Sequence, residues 1–304
     1  MLRLAWLMLI ATGCLPSLAR ADITPHDVVL TISYGNAPGA LDTTRIRRDD
    51  PSRTLIGAFH RDAAGTFWLM PSPDVTGGRN LLLGFRDGAL DSTIEFSGIA
   101  GDFLVTPDGV YSCSPSPSGL MGVVAHFAFD PLAPHAKTLR ARLPATRELP
   151  ISTAGSLQLH EDRPYWVTFD LRSAVPLDAG MRRGVIGSGA VAGIPTARGL
   201  VRQDAGVVTR DGARILEMYF EGSGTLIFVF DSGGFVVRRP GIVVPPASPA
   251  VFEIHDADGK MIRSVTTLPR VGRFGQESSP WLFEESGAVF QLVLAKEEAH
   301  VLRY

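Results

Sequence analysis

Cysteine, lysine and long apolar runs are all scarce in this 304-residue chain. Its two cysteines, Cys14 and Cys113, lie so that removal of an N-terminal leader would leave no internal disulfide, and stability must then come from burial. Beyond the leader, no stretch approaches the ~18 consecutive apolar residues of a membrane-spanning helix. The 29 Lys and Arg stand against 31 Asp and Glu, a formal charge of −2, which offers no basic excess for nucleic acid and no acidic tail. Only Lys137, Lys260 and Lys296 are lysines, against 26 arginines, and coding bias explains that balance more readily than a polyanionic partner. At 45% apolar and 20% charged, the composition excludes an intrinsically disordered chain. Also missing are a G-x-S-x-G elbow, H-E-x-x-H, a P-loop, CxxC and CxxCH, so nucleophile-elbow acyl transfer, helix-borne zinc hydrolysis, NTP use and covalent haem lose their usual markers. No cofactor and no metal is expected, and catalytic residues are not identified.

What is present first is a leader. Arg3 precedes the apolar run Leu4–Ile10, and Ala19-Arg20-Ala21 forms a small-x-small site before Asp22. This is the anatomy of a signal peptide over residues 1–21, which predicts a periplasmic or secreted protein. The alternative reading makes Cys14 a lipidated N-terminus, although Ala11 stands where a larger aliphatic residue is usual. Cleavage after Ala21 leaves 27 basic and 31 acidic residues, a charge of −4.

Residues 22–304 read as a single domain of short strands. Runs such as Thr66–Met70, Asp102–Thr106, Pro164–Leu171, Thr225–Phe230 and Ala288–Leu294 are rich in β-branched and aromatic residues, and helical spacing is not sustained anywhere. Between them an acid is followed closely by glycine, at Asp62/Gly65, Asp87/Gly88, Asp108/Gly109, Asp211/Gly212, Asp231/Gly233, Asp258/Gly259 and Glu285/Gly287. The carboxylate bonds nearby amides and the glycine takes positive φ, which makes tight hairpins. Apart from one gap of 103, these acids recur every 20 to 27 residues, so a four-stranded unit spans about 48 residues and the chain holds about six. Several runs are apolar at successive positions, as in Leu226–Phe230, which requires burial on both faces. The pattern predicts an all-β protein: a β-propeller of six four-stranded blades (five to seven), closed by pairing of Val28–Ile32 with Ala299–Tyr304, with a two-sheet β-sandwich as the alternative. Arg172–Ala205 reads as a lid or as missed strands, the latter favoured because the third blade needs an outer hairpin there.

The unit Asp102–Tyr111 resembles an inner blade hairpin of NHL/YWTD-type propellers, and Asp258–Arg263 resembles the outer hairpin turn. The resemblance implies the fold but brings no catalytic motif. The G-x-G-x-x-A match over Gly187–Ala192 lacks room for the helix that a dinucleotide site needs, because Pro195 and Gly199 follow. His60, His160 and His255 each end an apolar run beside an acid, and equivalent turns would spread them around a rim. A ligand is expected at the mouth of the central channel, on linkers between blades. The candidates are Arg147 and Glu148 in Pro144–Gly155, and Arg270, Arg273, Gln276 and Glu277 in Pro269–Pro280. The function expected is binding of, or scaffolding for, an unknown protein or small-molecule ligand, with no nucleic-acid partner. The alternative is a propeller enzyme, a lyase or metal-assisted lactonase or hydrolase.

Overall fold

A computed structural model describes residues 23–35, 37–41, 55–71, 79–97, 101–115, 121–130, 139, 145–150, 155–168, 171–177, 191–218, 224–239, 249–270, 273–274 and 279–304. The leader, Gly187–Ala190, Gln276 and Glu277 lie outside them. β1 (Asp27–Ser33) is followed by a first blade of β2 (Leu55–Arg61), β3 (Phe67–Pro71), β4 (Arg79–Arg86) and β5 (Ala89–Ser97). The second holds β6 (Asp102–Thr106), β7 (Gly109–Pro115), β8 (Met121–Ala128) and β9 (Ala145–Pro150). The third holds β10 (Gly155–His160), β11 (Arg163–Thr168) and β12 (Ala174–Pro176). The fourth is β13 (Ile194–Thr196), β14 (Gly199–Asp204), β15 (Val207–Arg210) and β16 (Ala213–Glu217). The fifth is β17 (Thr225–Val229), β18 (Phe235–Arg239), β19 (Val251–His255) and β20 (Met261–Thr266). After β21 (Arg273–Phe274) come β22 (Trp281–Phe283), β23 (Val289–Leu294) and β24 (Glu298–Arg303).

These strands form six separate sheets, antiparallel apart from the short parallel pair of β2 with β21, arranged as a six-bladed β-propeller; this rules out the two-layer sandwich. The expected closure is present: β1 pairs antiparallel with β24, with Thr31 opposite His300, and completes the sixth blade in the order β22-β23-β24-β1. Residues 172–205 are strands in part, as expected, supplying β12, β13 and β14. The third blade shows three strands, and Val191 occupies the next position through paired bonds with Ala174 (2.9 and 3.1 Å).

The turns explain the acid–glycine recurrence. Asp87-Gly88 and Asp211-Gly212 are two-residue loops with both residues at positive φ (52° and 80°, 48° and 84°). That is the hairpin turn whose twist matches the flanking strands, and Asp and Gly tolerate it best. All seven acid–glycine turns join the first and second or the third and fourth strands of a blade, which puts them on one face of the ring. Middle strands are buried on both faces, β23 at every position. Trp68 is fully buried, with its indole lying across Gly84, where an added Cβ would sit 2.7 Å from the ring.

No helix among the described residues is long and apolar enough to cross a membrane.

Candidate ligand-binding site

The first strands of five blades, β2, β6, β10, β17 and β22, surround a cavity of about 1060 Å³ on the propeller axis. Among the described residues the fourth blade contributes none to the cavity wall: its β13 is only three residues long, and His160 at the end of β10 reaches Asp231 beyond β17 in front of it, Nδ1 to Oδ1 at 3.2 Å. The Asp231 carbonyl accepts from Ala197 N (2.8 Å), which secures the short blade behind that bond.

The waist of the cavity is apolar, with Phe103, Val105, Leu157, Phe228 and Phe283 prominent. Strand β17 carries a bulge between Leu226 and Phe228, which breaks alternation so that Ile227 and Phe228 both face the cavity. Both are only half-buried, because one side of each meets the open channel. The continuous apolar run of β17 therefore has a different cause from that of β23, which is covered on both sides by protein.

At the end where the hairpin turns lie, polar groups bind one another. Arg61 pairs with Glu284, and its guanidinium lies over the rings of Phe67 and Phe290 (5.2 and 5.0 Å). Burial, then the Arg303 charge, pull its pKa below the usual arginine value against the opposing pull of Asp62. Asp62 accepts from Thr66 N and Trp68 Nε1, both at 2.9 Å, and Arg86 donates to Thr66 Oγ1 (2.9 Å). His60 borders the cavity and meets Phe103 edge-on; protein atoms crowd its ring, and desolvation drives its pKa down to about 4 despite the Asp62 carboxylate. Burial raises the Asp231 pKa, but hydrogen bonds from His160 and the Glu161 amide outweigh it, and the net shift is downward. His160 is 1% exposed, with Nε2 against Gln158 Oε1 (3.2 Å), so neither ring nitrogen reaches the cavity. No cluster of three metal-ligating side chains occurs among the described residues.

Two arginines stand at the opposite end, where linkers enter. Arg238 at the end of β18 and Arg270 in the linker after β20 both line the cavity. Arg238 sits over the Trp281 ring at 5.6 Å. Burial and then the Arg238 charge lower the pKa of Arg270. The linker is braced from several sides: Gln291 Nε2 donates to Leu268 O and Pro269 O (2.9 and 3.3 Å), and Leu268 N donates to the Tyr304 hydroxyl (2.9 Å). Trp281 Nε1 donates to Thr267 Oγ1 (3.2 Å). Tyr304 in turn donates to Gln291 Oε1 (2.6 Å). Beyond Arg270 lies β21, which pairs parallel with β2 on the inner edge of the first blade. Asp102, the first residue of β6, is buried here and accepts from Phe103 N (2.9 Å) and from Leu157 N on the next blade (2.7 Å).

Of the sequence candidates, Arg270 lines the cavity and Arg273 lies on β21. Arg147 and Glu148 lie on β9, the outermost strand of the second blade, rather than in a linker. His60 and His160 end innermost strands, whereas His255 ends a third strand, so the three are not equivalent. Arg61, Arg238 and Trp281 were not anticipated; a charge closing a run buried on both faces, as in Phe235–Arg239, is the one local signal that marks Arg238.

No protein-family model matches the chain, and no curated protein matches it in sequence. Solved structures of similar shape include a glucose dehydrogenase-type oxidoreductase of Thermus thermophilus, 13% identical over 83% of this chain and 96% of that one, with a TM-score of 0.43. A glucose dehydrogenase is 9% identical over 92% and 99%, with a TM-score of 0.47. The PQQ-bound aldose sugar dehydrogenase from Streptomyces coelicolor is 9% identical over 91% and 97%, with a TM-score of 0.40. At these values the likeness speaks for neither a shared activity nor a shared ligand.

Proposed function

We propose that this is an exported binding protein that holds a small molecule in the axial cavity of its propeller. The observation that carries the reading is the cavity itself. Its volume of about 1060 Å³ is at the upper end of the ~300–1,000 Å³ typical of ligand pockets, and an apolar waist lies between polar ends. An apolar surface facing an open channel is costly unless something covers it, and a ligand with a flat apolar body would do so. The enzyme alternative gains less support, because the acids at the turn end are engaged in structural bonds and the imidazole of His160 is sealed from the cavity.

The test uses the neutral fluorophore N-phenyl-1-naphthylamine. Saturable binding of one probe per chain is expected, together with a rise in thermal midpoint. Ile227→Trp, which fills the waist from β17, is expected to abolish binding while circular dichroism and cooperative unfolding persist. Absence of saturable binding to the unaltered protein, or undiminished binding to the folded variant, refutes the proposal.

A further inference from the structure

We infer that the cavity takes an aromatic ligand, recognised by a wall of phenylalanine and tryptophan rings on the fifth and sixth blades. This rests on the binding reading above and specifies the ligand class. Three observations converge on it. First, the apolar surface left free at the waist is concentrated on one side. Strand β22 is the innermost of its blade, and Trp281, Leu282 and Phe283 all border the cavity, each only half-buried. The bulge in β17 adds Ile227 and Phe228, likewise half-buried. Across the waist, Ala58, Phe103, Val105 and Leu157 are between 1% and 6% exposed, already covered by their own neighbours. Three of the five half-buried side chains on β17 and β22 are aromatic, in a chain with only 8% aromatic residues, so a ligand that covers this wall meets mostly rings.

Second, the rings form a continuous series set at angles to one another. Phe228 meets Phe283 at 5.8 Å and 41°, Phe283 meets Phe252 at 5.1 Å and 71°, and Phe252 meets Trp281 at 5.3 Å and 65°. All four line the cavity, and their differing tilts mix ring faces with ring edges. An aromatic face is electronegative and its edge electropositive, so a ligand ring gains by pairing with either. A saturated ring of the same outline has no such charge pattern to match. Third, the wall is held in advance. Trp281 Nε1 donates to Thr267 Oγ1 (3.2 Å), Arg238 lies over its ring at 5.6 Å, and Phe252 is fully buried between Trp281 and Phe283. A surface fixed before binding spares the ligand the cost of ordering it. Since an apolar cavity of about 150 Å³ accommodates one benzene, about 1060 Å³ leaves room for roughly two or three fused rings with substituents.

The test is displacement of bound N-phenyl-1-naphthylamine from the full chain by 2-naphthamide and by its saturated counterpart, trans-decahydro-2-naphthamide. The two share a head group and a similar outline, and the saturated compound is the more apolar, so burial alone would favour it. Pairing with two or three rings should reverse that order and make 2-naphthamide bind about 5- to 50-fold more tightly. Phe228→Leu and Phe283→Leu should each cut the preference about threefold or more while the saturated compound keeps its affinity. Phe283→Trp, which retains a ring, should keep the preference. Equal or tighter binding of the saturated compound by the unaltered protein overturns the aromatic assignment while leaving the cavity reading intact. So does a preference that survives in a folded double Phe228→Leu/Phe283→Leu variant, or failure of both amides to displace a fluorophore that binds. If the fluorophore itself does not bind, the cavity reading fails and takes the aromatic wall with it.

Discussion

Replacing Asp102 by alanine probes the joint between two blades. Its carboxylate accepts from Phe103 N at 2.9 Å and from Leu157 N at 2.7 Å, so one side chain ties the start of β6 to the start of β10. Asp102 is 7% exposed, and alanine would leave both amides without their acceptor. An orphaned buried donor costs about 1–3 kcal/mol, which puts the sum at roughly 2–6. Because Asp102 borders the cavity, water can reach part of the vacated space and lower the loss to about 2–4 kcal/mol. Asp102→Asn keeps one acceptor and should lose about half as much. Urea unfolding at neutral pH measures both, and an unchanged denaturant slope would show that the unfolded state is unaltered. A loss below about 0.5 kcal/mol for the alanine variant, at constant slope, would refute the idea that this carboxylate clamps the blades. Phe103 and Leu157 stand in the cavity wall, so the same variant should also weaken probe binding.

Gly84→Ala should destabilise by about 1–3 kcal/mol, because the new methyl would meet a Trp68 ring that Asp62 holds in place; thermal unfolding at no cost would contradict that packing. His60 should make the protein acid-sensitive. Below about 6.5 the unfolded chain takes up a proton that the folded ring refuses until about 4, so stability is full above 6.5 and declines as pH falls toward 4. The ceiling is about 3 kcal/mol, reduced by water in the cavity; His60→Gln should flatten urea midpoints across that window, and parallel pH profiles would be the contrary result. His126, whose pKa burial also lowers, contributes in the same direction in both proteins. Tyr304→Phe removes the acceptor of Leu268 N and the donor to Gln291, and should cost about 1–2 kcal/mol and speed amide exchange at Leu268. Unchanged exchange there would mean that the linker is held by other means.

The strands and their number were legible because local chemistry enforces them. Asp87-Gly88 and Asp211-Gly212 can hardly be anything but tight hairpins, and their recurrence sets the blade length. Closure was legible too, since Val28–Ile32 has no local partner. The third and fourth blades were harder to read: β12 and β13 are three residues each, too short for any apolar alternation to show. The cavity was hidden for a different reason. A run such as Leu226–Phe230 looks the same whether its second face meets a neighbouring blade or an open channel, and only the bulge in β17 and its place in the cavity wall decide it. Arg270 lines the cavity from the linker that the sequence marks out between Pro269 and Pro280. Arg238 carries no such mark, since Trp281, over whose ring it sits, is distant in sequence and arrives only when the blades close up.

The pairing of β1 with β24 also sets an order of events. Thr31 and His300 face each other across 269 positions of chain, and at ~5–20 residues per second a ribosome needs roughly 13–54 s to supply the second after the first. Throughout that interval Leu30 and Ile32, both almost fully covered in the finished ring, have nowhere to go. A newborn copy therefore carries a sticky, unpaired ribbon at its front until its final turn of β-structure is made, and whichever chaperone or rival edge reaches that ribbon first decides whether the ring ever shuts.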